Sequence, residues 1–320
     1  MNPGESSAQS HWLGGVVSQM PAPVYGAPRC LDAAGAQLGE GLLWSAREQC
    51  LYWVDILARR LFRCNLMSGE RTQWTFEEEV SAVAERTGGR PGLVLTLRQG
   101  FALFDPASGE PPRYLCKPEP ELPCNRFNDG KCDAQGRFWA GTMDFACEAP
   151  TGSLYRFDPD GQCTRHEQGI AVTNGPTWAQ VDGQLCLFLN DTVNGRIYRY
   201  RCDPQSGELS DKRLWKTFAP DEGVPDGMTT DALGRLWIAH WGGARVSCHD
   251  PASGACLARI DLPTSHVTNC AFGGADLCTL FITTARQGLS DDQLAREPLA
   301  GGLFAVAVDS PGLPANGFGG

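Results

Sequence analysis

Four short segments set a polar side chain directly beside glycine: Leu38-Gly39-Glu40-Gly41, Val172-Thr173-Asn174-Gly175-Pro176, Val224-Pro225-Asp226-Gly227-Met228 and the dense run Arg126-Phe127-Asn128-Asp129-Gly130-Lys131. Taken singly, each reads as an ordinary hairpin signal, because Asn-Gly and Asp-Gly favour tight turns. Taken together they ask for more. Glu, Asn and Asp oxygens converging on one point make a hard divalent-cation site. Other chemistries lack support. No G-x-S-x-G elbow occurs, and no glycine-rich run ends in the Lys-Ser/Thr of a phosphate loop. The histidines His11, His166, His240, His249 and His266 form no H-x-x-x-H pair.

Convergence requires elements that bring distant segments to one place, and a repeat supplies them. One apolar strand pattern recurs six times: Leu51–Asp55, Leu93–Leu97, Arg137–Thr142, Leu185–Asn190, Arg235–His240 and Leu280–Thr284. The copies stand roughly 42 to 50 residues apart, the length of a four-stranded propeller blade. Asp/Gly turns precede several copies, as at Asp133–Gly136 and Asp231–Gly234. Asp-Pro-then-Gly turns close the following run at Asp105, Asp158, Asp203 and Asp250. The polar-glycine segments lie ahead of the strand pattern of their blades, so a propeller gathers them at one channel mouth. The expected fold is all-β, a six-bladed β-propeller with a central metal site. A β-sandwich is the competing reading, but its strands do not usually repeat at this period.

Composition agrees. A chain of 320 residues with 42% hydrophobic content can bury a large core. We expect a flexible extension over residues 1–20 and one propeller domain over 21–320. The first residues lack the basic and apolar regions of a secretory signal, and no run approaches a membrane span. The net charge of −10 comes from 27 basic and 37 acidic residues, interspersed without a basic stripe, which argues against nucleic acid as a partner. None of the 14 cysteines stands in C-x-x-C spacing, and many occupy apolar strand positions. Free structural thiols fit a reducing cytoplasm. The expected partner is a small molecule, not a membrane, and the expected assembly is a monomer or small homo-oligomer.

The chain resembles the family of senescence marker protein 30, regucalcin and the gluconolactonases. The resemblance rests on Leu38–Trp44, Asn125–Lys131, Asp133–Met143, Thr173–Pro176, Pro225–Met228 and Phe272–Arg286, in family order. Bacterial pentonolactonases are nearer still, through Ala239–Gly243 and Pro298–Gly302. It implies a propeller with one catalytic divalent metal held by Glu40, Asn174 and Asp226. It places the family's substrate-contacting residues on Arg126 and Asn128. Glu148 is the equivalent of an acidic residue that some relatives carry after Gly-Thr-Met, in a segment shorter here than in the animal proteins. Trp241 either walls the sugar ring or serves the core.

The implied activity is metal-dependent hydrolysis of a sugar lactone to its acid in carbohydrate catabolism. The metal is Ca²⁺, Mg²⁺, Mn²⁺, Zn²⁺ or Fe²⁺. Asp226 either relays the proton of the attacking water or is a ligand only. The alternatives are a calcium-binding regulatory protein without turnover, an interaction propeller, and a phosphotriester hydrolase with a more apolar pocket. Arg126 and Asn128, two apart on an extended strand, should face the pocket together while Phe127 packs into the blade. Loss of Asn128 should then weaken catalysis and leave the metal bound. The segment Val24–Leu31 should close the last blade. Ser290 should cap one short helix over 291–296.

Overall fold

Why do these strands read as nearly continuous apolar runs? Each blade is covered on both faces. Six buried clusters hold the molecule together, one at each interface between neighbouring blades. The interface of the second and third blades packs Phe101, Phe127, Phe138 and Phe157, with the Phe101 and Phe157 rings stacked at 4.9 Å. A strand buried on both faces has no polar side to alternate with.

The computed structural model describes residues 20–320. The extension expected over 1–20 lies outside the described residues but for Met20. Among the described residues there are six antiparallel four-stranded sheets, one six-residue α-helix at Asp291–Arg296 and one 3₁₀ turn at Pro220–Glu222. The architecture is the expected six-bladed β-propeller. The innermost strands are Gly39–Ser45, Val80–Glu85, Asn125–Cys132, Thr173–Val181, Val224–Thr230 and Val267–Gly273. They touch in that order, and the last returns to the first. The six repeated sequence patterns are the second strands of the six blades.

The ends of the chain lock the ring. Arg29–Asp32 pairs with Leu303–Ala307 as the outer strand of the sixth blade, and Tyr25 bridges to Val308. The segment expected to close the last blade does so. Ser290 caps the helix by accepting from the Gln293 N–H, as expected. The sequence did not announce the path of the C-terminal tail. Phe318 is buried, pairs with Arg86, and stacks on Phe157 at 5.4 Å. Leu313–Asn316 lines a cavity of about 130 Å³ at the far end of the inner strands.

The turn motif Asp-x-x-Gly-Arg-x-Trp explains itself here. Asp231 Oδ1 accepts from the backbone N–H groups of Leu233 and Arg235, both at 3.0 Å, and Oδ2 accepts from Arg235 Nε at 2.6 Å and Trp237 Nε1 at 2.9 Å. Asp133, Arg137 and Trp139 repeat the arrangement in the third blade. These motifs are buried clasps.

Candidate functional site

Every inner strand is interrupted once. The pairing register slips at Glu40/Leu43, Val80/Ala82, Phe127/Gly130, Asn174/Thr177, Pro225/Met228 and Val267/Asn269. A bulge re-aims the side chains beside it. Here the bulges contain or adjoin Glu40, Asn128, Asp129, Asn174, Asp226 and Asn269. The neighbouring glycines follow from the crowding. Gly41 has φ +58° and a Cβ there would meet the Ser81 carbonyl oxygen at 2.8 Å; at Gly227 a Cβ would meet the Asn269 side chain at 2.5 Å. Sequence read these glycines as turn signals. They are bulge residues at the axis.

The structure brings Glu40, Arg126, Asn128, Asn174, Asp226 and Trp241 to the lining of one cavity of about 250 Å³. Arg126 and Asn128 do share a side, with Arg126 Nη1 donating to Asn128 Oδ1 at 2.7 Å, while Phe127 is buried against Phe101 at 5.0 Å. Glu148 is not brought in. Asp144 Oδ2 accepts from the backbone N–H groups of Glu148 and Ala149 at 3.0 and 2.9 Å, and this tight turn leaves the Glu148 side chain exposed. Phe145 and Cys147, from the same turn, line the cavity in its place.

A chain of hydrogen bonds fixes the Asn174 amide. The Thr192 hydroxyl donates to the Pro225 carbonyl at 2.8 Å, so its oxygen is left to accept from Asn174 Nδ2 at 3.0 Å. Asn174 Oδ1 is thereby turned the other way, where it accepts from Asn128 Nδ2 at 2.9 Å. The second hydrogen of Asn128 Nδ2 goes to the Thr173 carbonyl at 2.8 Å. Asn128 therefore holds its neighbours and has no donor left over. Asn190 Nδ2 donates to the Asp226 carbonyl, tying the fifth blade to the fourth. Arg126 is buried, yet only its Nη1 is bonded among the described residues; Nε and Nη2 make no hydrogen bond.

The charges of the site are out of balance. Burial, and then the Asp129 charge, pushes the Glu40 carboxyl up to about 8. Burial, with Glu40 and Asp129 nearby, raises Asp226 well above the carboxylate range. Burial raises Asp129 to about 6, against the pull of Lys131. Among the described residues none of the three carboxylates makes a direct ion pair. Asn269 donates to Glu40 at 2.8 Å, and the Lys131 ammonium donates to the Met228 carbonyl at 2.5 Å. Buried negative charge without a paired cation is costly. Two such carboxylates and an oriented amide oxygen suit a hard divalent cation. No cluster of three or more His, Cys, Asp or Glu side chains that could hold a metal occurs among the described residues.

Sequence reasoning assigned no role to Asp129, Thr192, Asn190 or Asn269. Asp129 was visible inside the polar run, and Asn190-Asp191-Thr192 was visible as polar residues ending an apolar strand. Asn269 carried no local signal, since no glycine flanks it.

A family model described as SMP-30/Gluconolactonase/LRE-like region matches residues 38–286. The 6-deoxy-6-sulfogluconolactonase of Pseudomonas putida is 37% identical, covering 89% of this chain and 96% of its own. Regucalcin of Gallus gallus is 32% identical, covering 91% of this chain and 98% of its own. The crystal structure of a calcium-binding protein, regucalcin, from Agrobacterium tumefaciens superposes with a TM-score of 0.85 at 29% identity, covering 91% of this chain and 97% of that one. With the family match spanning most of the propeller, and relatives aligned almost end to end, the chain belongs to the SMP-30/gluconolactonase/LRE-like family.

Proposed function

We propose that this protein is a divalent-cation-dependent lactonase that opens a sugar lactone to its sugar acid. The observation that carries the reading is the excess of buried carboxylates in the cavity, where Glu40 and Asp226 feel the Arg126 charge but make no direct ion pair beside the oriented oxygen of Asn174. Glu40, Asn174 and Asp226 would hold the cation. When bound, a divalent cation polarises the lactone carbonyl and stabilises the negative charge that develops on its oxygen.

The protein's own groups do the rest. Arg126 directs Nε and Nη2 at the ring or its hydroxyls, since both are free. Asn128 keeps Arg126 and Asn174 in place. Asp226 accepts the proton of the attacking water at a carboxylate oxygen. A lactone is an activated ester, so the hydrolysis needs no covalent nucleophile. Trp241, half-buried and stacked on His266 at 4.0 Å, offers a fixed flat wall.

Oxygen donors favour Ca²⁺, Mg²⁺ or Mn²⁺. No helix among the described residues is long and apolar enough to cross a membrane. All 14 cysteines are unpaired, which supports a reducing compartment such as the cytoplasm.

The test is a panel of pentono- and hexonolactones, assayed for acid release after chelation and again after adding back each cation. Acid release that vanishes on stripping and returns with one cation is the expected result. Turnover by cation-free protein would sink the mechanism. Tight calcium binding with no acid release from any lactone would favour the regulatory reading, the one suggested by the calcium-binding regucalcin neighbour.

A further inference from the structure

We infer that the cavity selects lactones whose exocyclic end is apolar, taking 6-deoxyhexonolactones in preference to their hydroxylated parents. The inference rests on the lactonase reading above and names the substrate class within it.

The polar lining residues Glu40, Arg126, Asn128, Asn174 and Asp226 are buried, whereas the apolar residues Leu57, Phe145, Val193, Val224 and Trp241 are partly exposed, with Gln287 an exposed polar residue beside them. Val193 and Phe145 are 50% and 39% exposed and line the same cavity, so they add to one apolar surface. The buried polar groups are mostly committed. Both amide hydrogens of Asn128 are spent on Thr173 and Asn174, and the Thr192 hydroxyl hydrogen is spent on Pro225. Arg126 offers its free Nε and Nη2 to the substrate, and its Cζ lies 5.8 Å from the Phe145 ring centroid. Arg98, behind Phe145 with its Cζ 5.1 Å from the ring centroid, is engaged by Glu79 at 3.6 Å.

A hexonolactone bound with its carbonyl among the buried polar groups sends its terminal carbon toward the partly exposed apolar residues. Apart from Gln287, a hydroxyl there gives up water and meets carbon, whereas a methyl group gains burial. Pockets of this kind discriminate modestly, by about tenfold to two-hundredfold per group.

Two matched pairs test this: L-rhamnono- against L-mannono-1,4-lactone, and L-fucono- against L-galactono-1,4-lactone. Each pair differs only in a terminal methyl or hydroxymethyl group. With protein loaded with calcium or manganese, kcat/KM should favour the deoxy member of at least one pair by about tenfold or more, chiefly through KM. Val193→Ser and Phe145→Ser alter exposed side chains and should bring that ratio toward one. A ratio at or below one in both pairs overturns the inference and leaves the lactonase reading intact. If neither pair is hydrolysed, the lactonase reading still rests on the wider lactone panel. Calorimetric titration of the same pairs then decides the inference, which requires tighter binding of a deoxy member and is overturned by equal binding.

Discussion

Two sets of buried carboxylates sit in this propeller, and they are handled in opposite ways. Asp133 and Asp231, in the clasps of the third and fifth blades, each accept from two backbone N–H groups, an arginine and a tryptophan. Glu40, Asp129 and Asp226, at the axis, are as deeply buried but lack an ion-pair partner. Residue type and burial do not separate the sets. Satisfaction does. A fully bonded buried carboxylate stabilises a turn, while an under-bonded one stores proton and cation affinity. Asp129 and Asp133 make the point at close range, four residues apart on one strand and its turn.

The sharpest way to break the contrast is at the axis. Asp226→Ala should abolish cation retention and lower kcat/KM by about a thousandfold or more, some 4 kcal/mol of transition-state stabilisation. Metal analysis of the purified variant beside the lactone assay checks both halves. The reciprocal change, Asp231→Asn, should strand Arg235 and cost about 3–5 kcal/mol of stability. Denaturant unfolding measures that loss, and the folded variant should still bind one cation.

The axial set should also make stability depend on pH. Glu40 and Asp129 have folded pKa values raised to about 8 and about 6. A raised value means that the folded state holds the proton more tightly than the unfolded one. The resulting stability is present below the ordinary carboxylate pKa, near 4, and is lost as pH rises through the folded values. Cation-free protein should therefore lose stability from about pH 5 to pH 8. Saturating cation should flatten the curve, because the charged carboxylates are then the bound form. An equally steep fall with and without cation would contradict the assignment.

The smallest effect belongs to the hydrogen bonds that orient the amide. Thr192→Val keeps the shape but frees the Asn174 amide, so cation affinity should fall about tenfold to a hundredfold with little change in Tm. Asn128→Ala should do the same by removing the bond to Asn174 Oδ1. This revises the expectation from sequence that the cation would stay bound without Asn128. Unchanged cation affinity in both variants would show that the amide needs no support.

What local sequence could determine was the repeat and its punctuation. Blade period, the Asp/Gly turns, the Ser290 cap and the glycines beside Glu40, Asn174 and Asp226 are short-range signals, because dihedral preference and apolar patterning act over a few residues. They were enough to read six blades and to single out Glu40, Asn174 and Asp226, whereas the roles of Arg126, Asn128 and Trp241 came from the family resemblance. Tertiary structure decided which polar groups are satisfied. The Asp144 turn exposes Glu148 and presents Cys147 and Phe145, a difference of one residue that no pattern marks. Thr192 acts through Pro225, and Asn269 reaches Glu40 across the closure of the ring. Those partners lie 33 and 229 residues apart. A hydrogen bond is filled by whatever the fold brings within about 3 Å, and the chain cannot state that distance until the ring has closed.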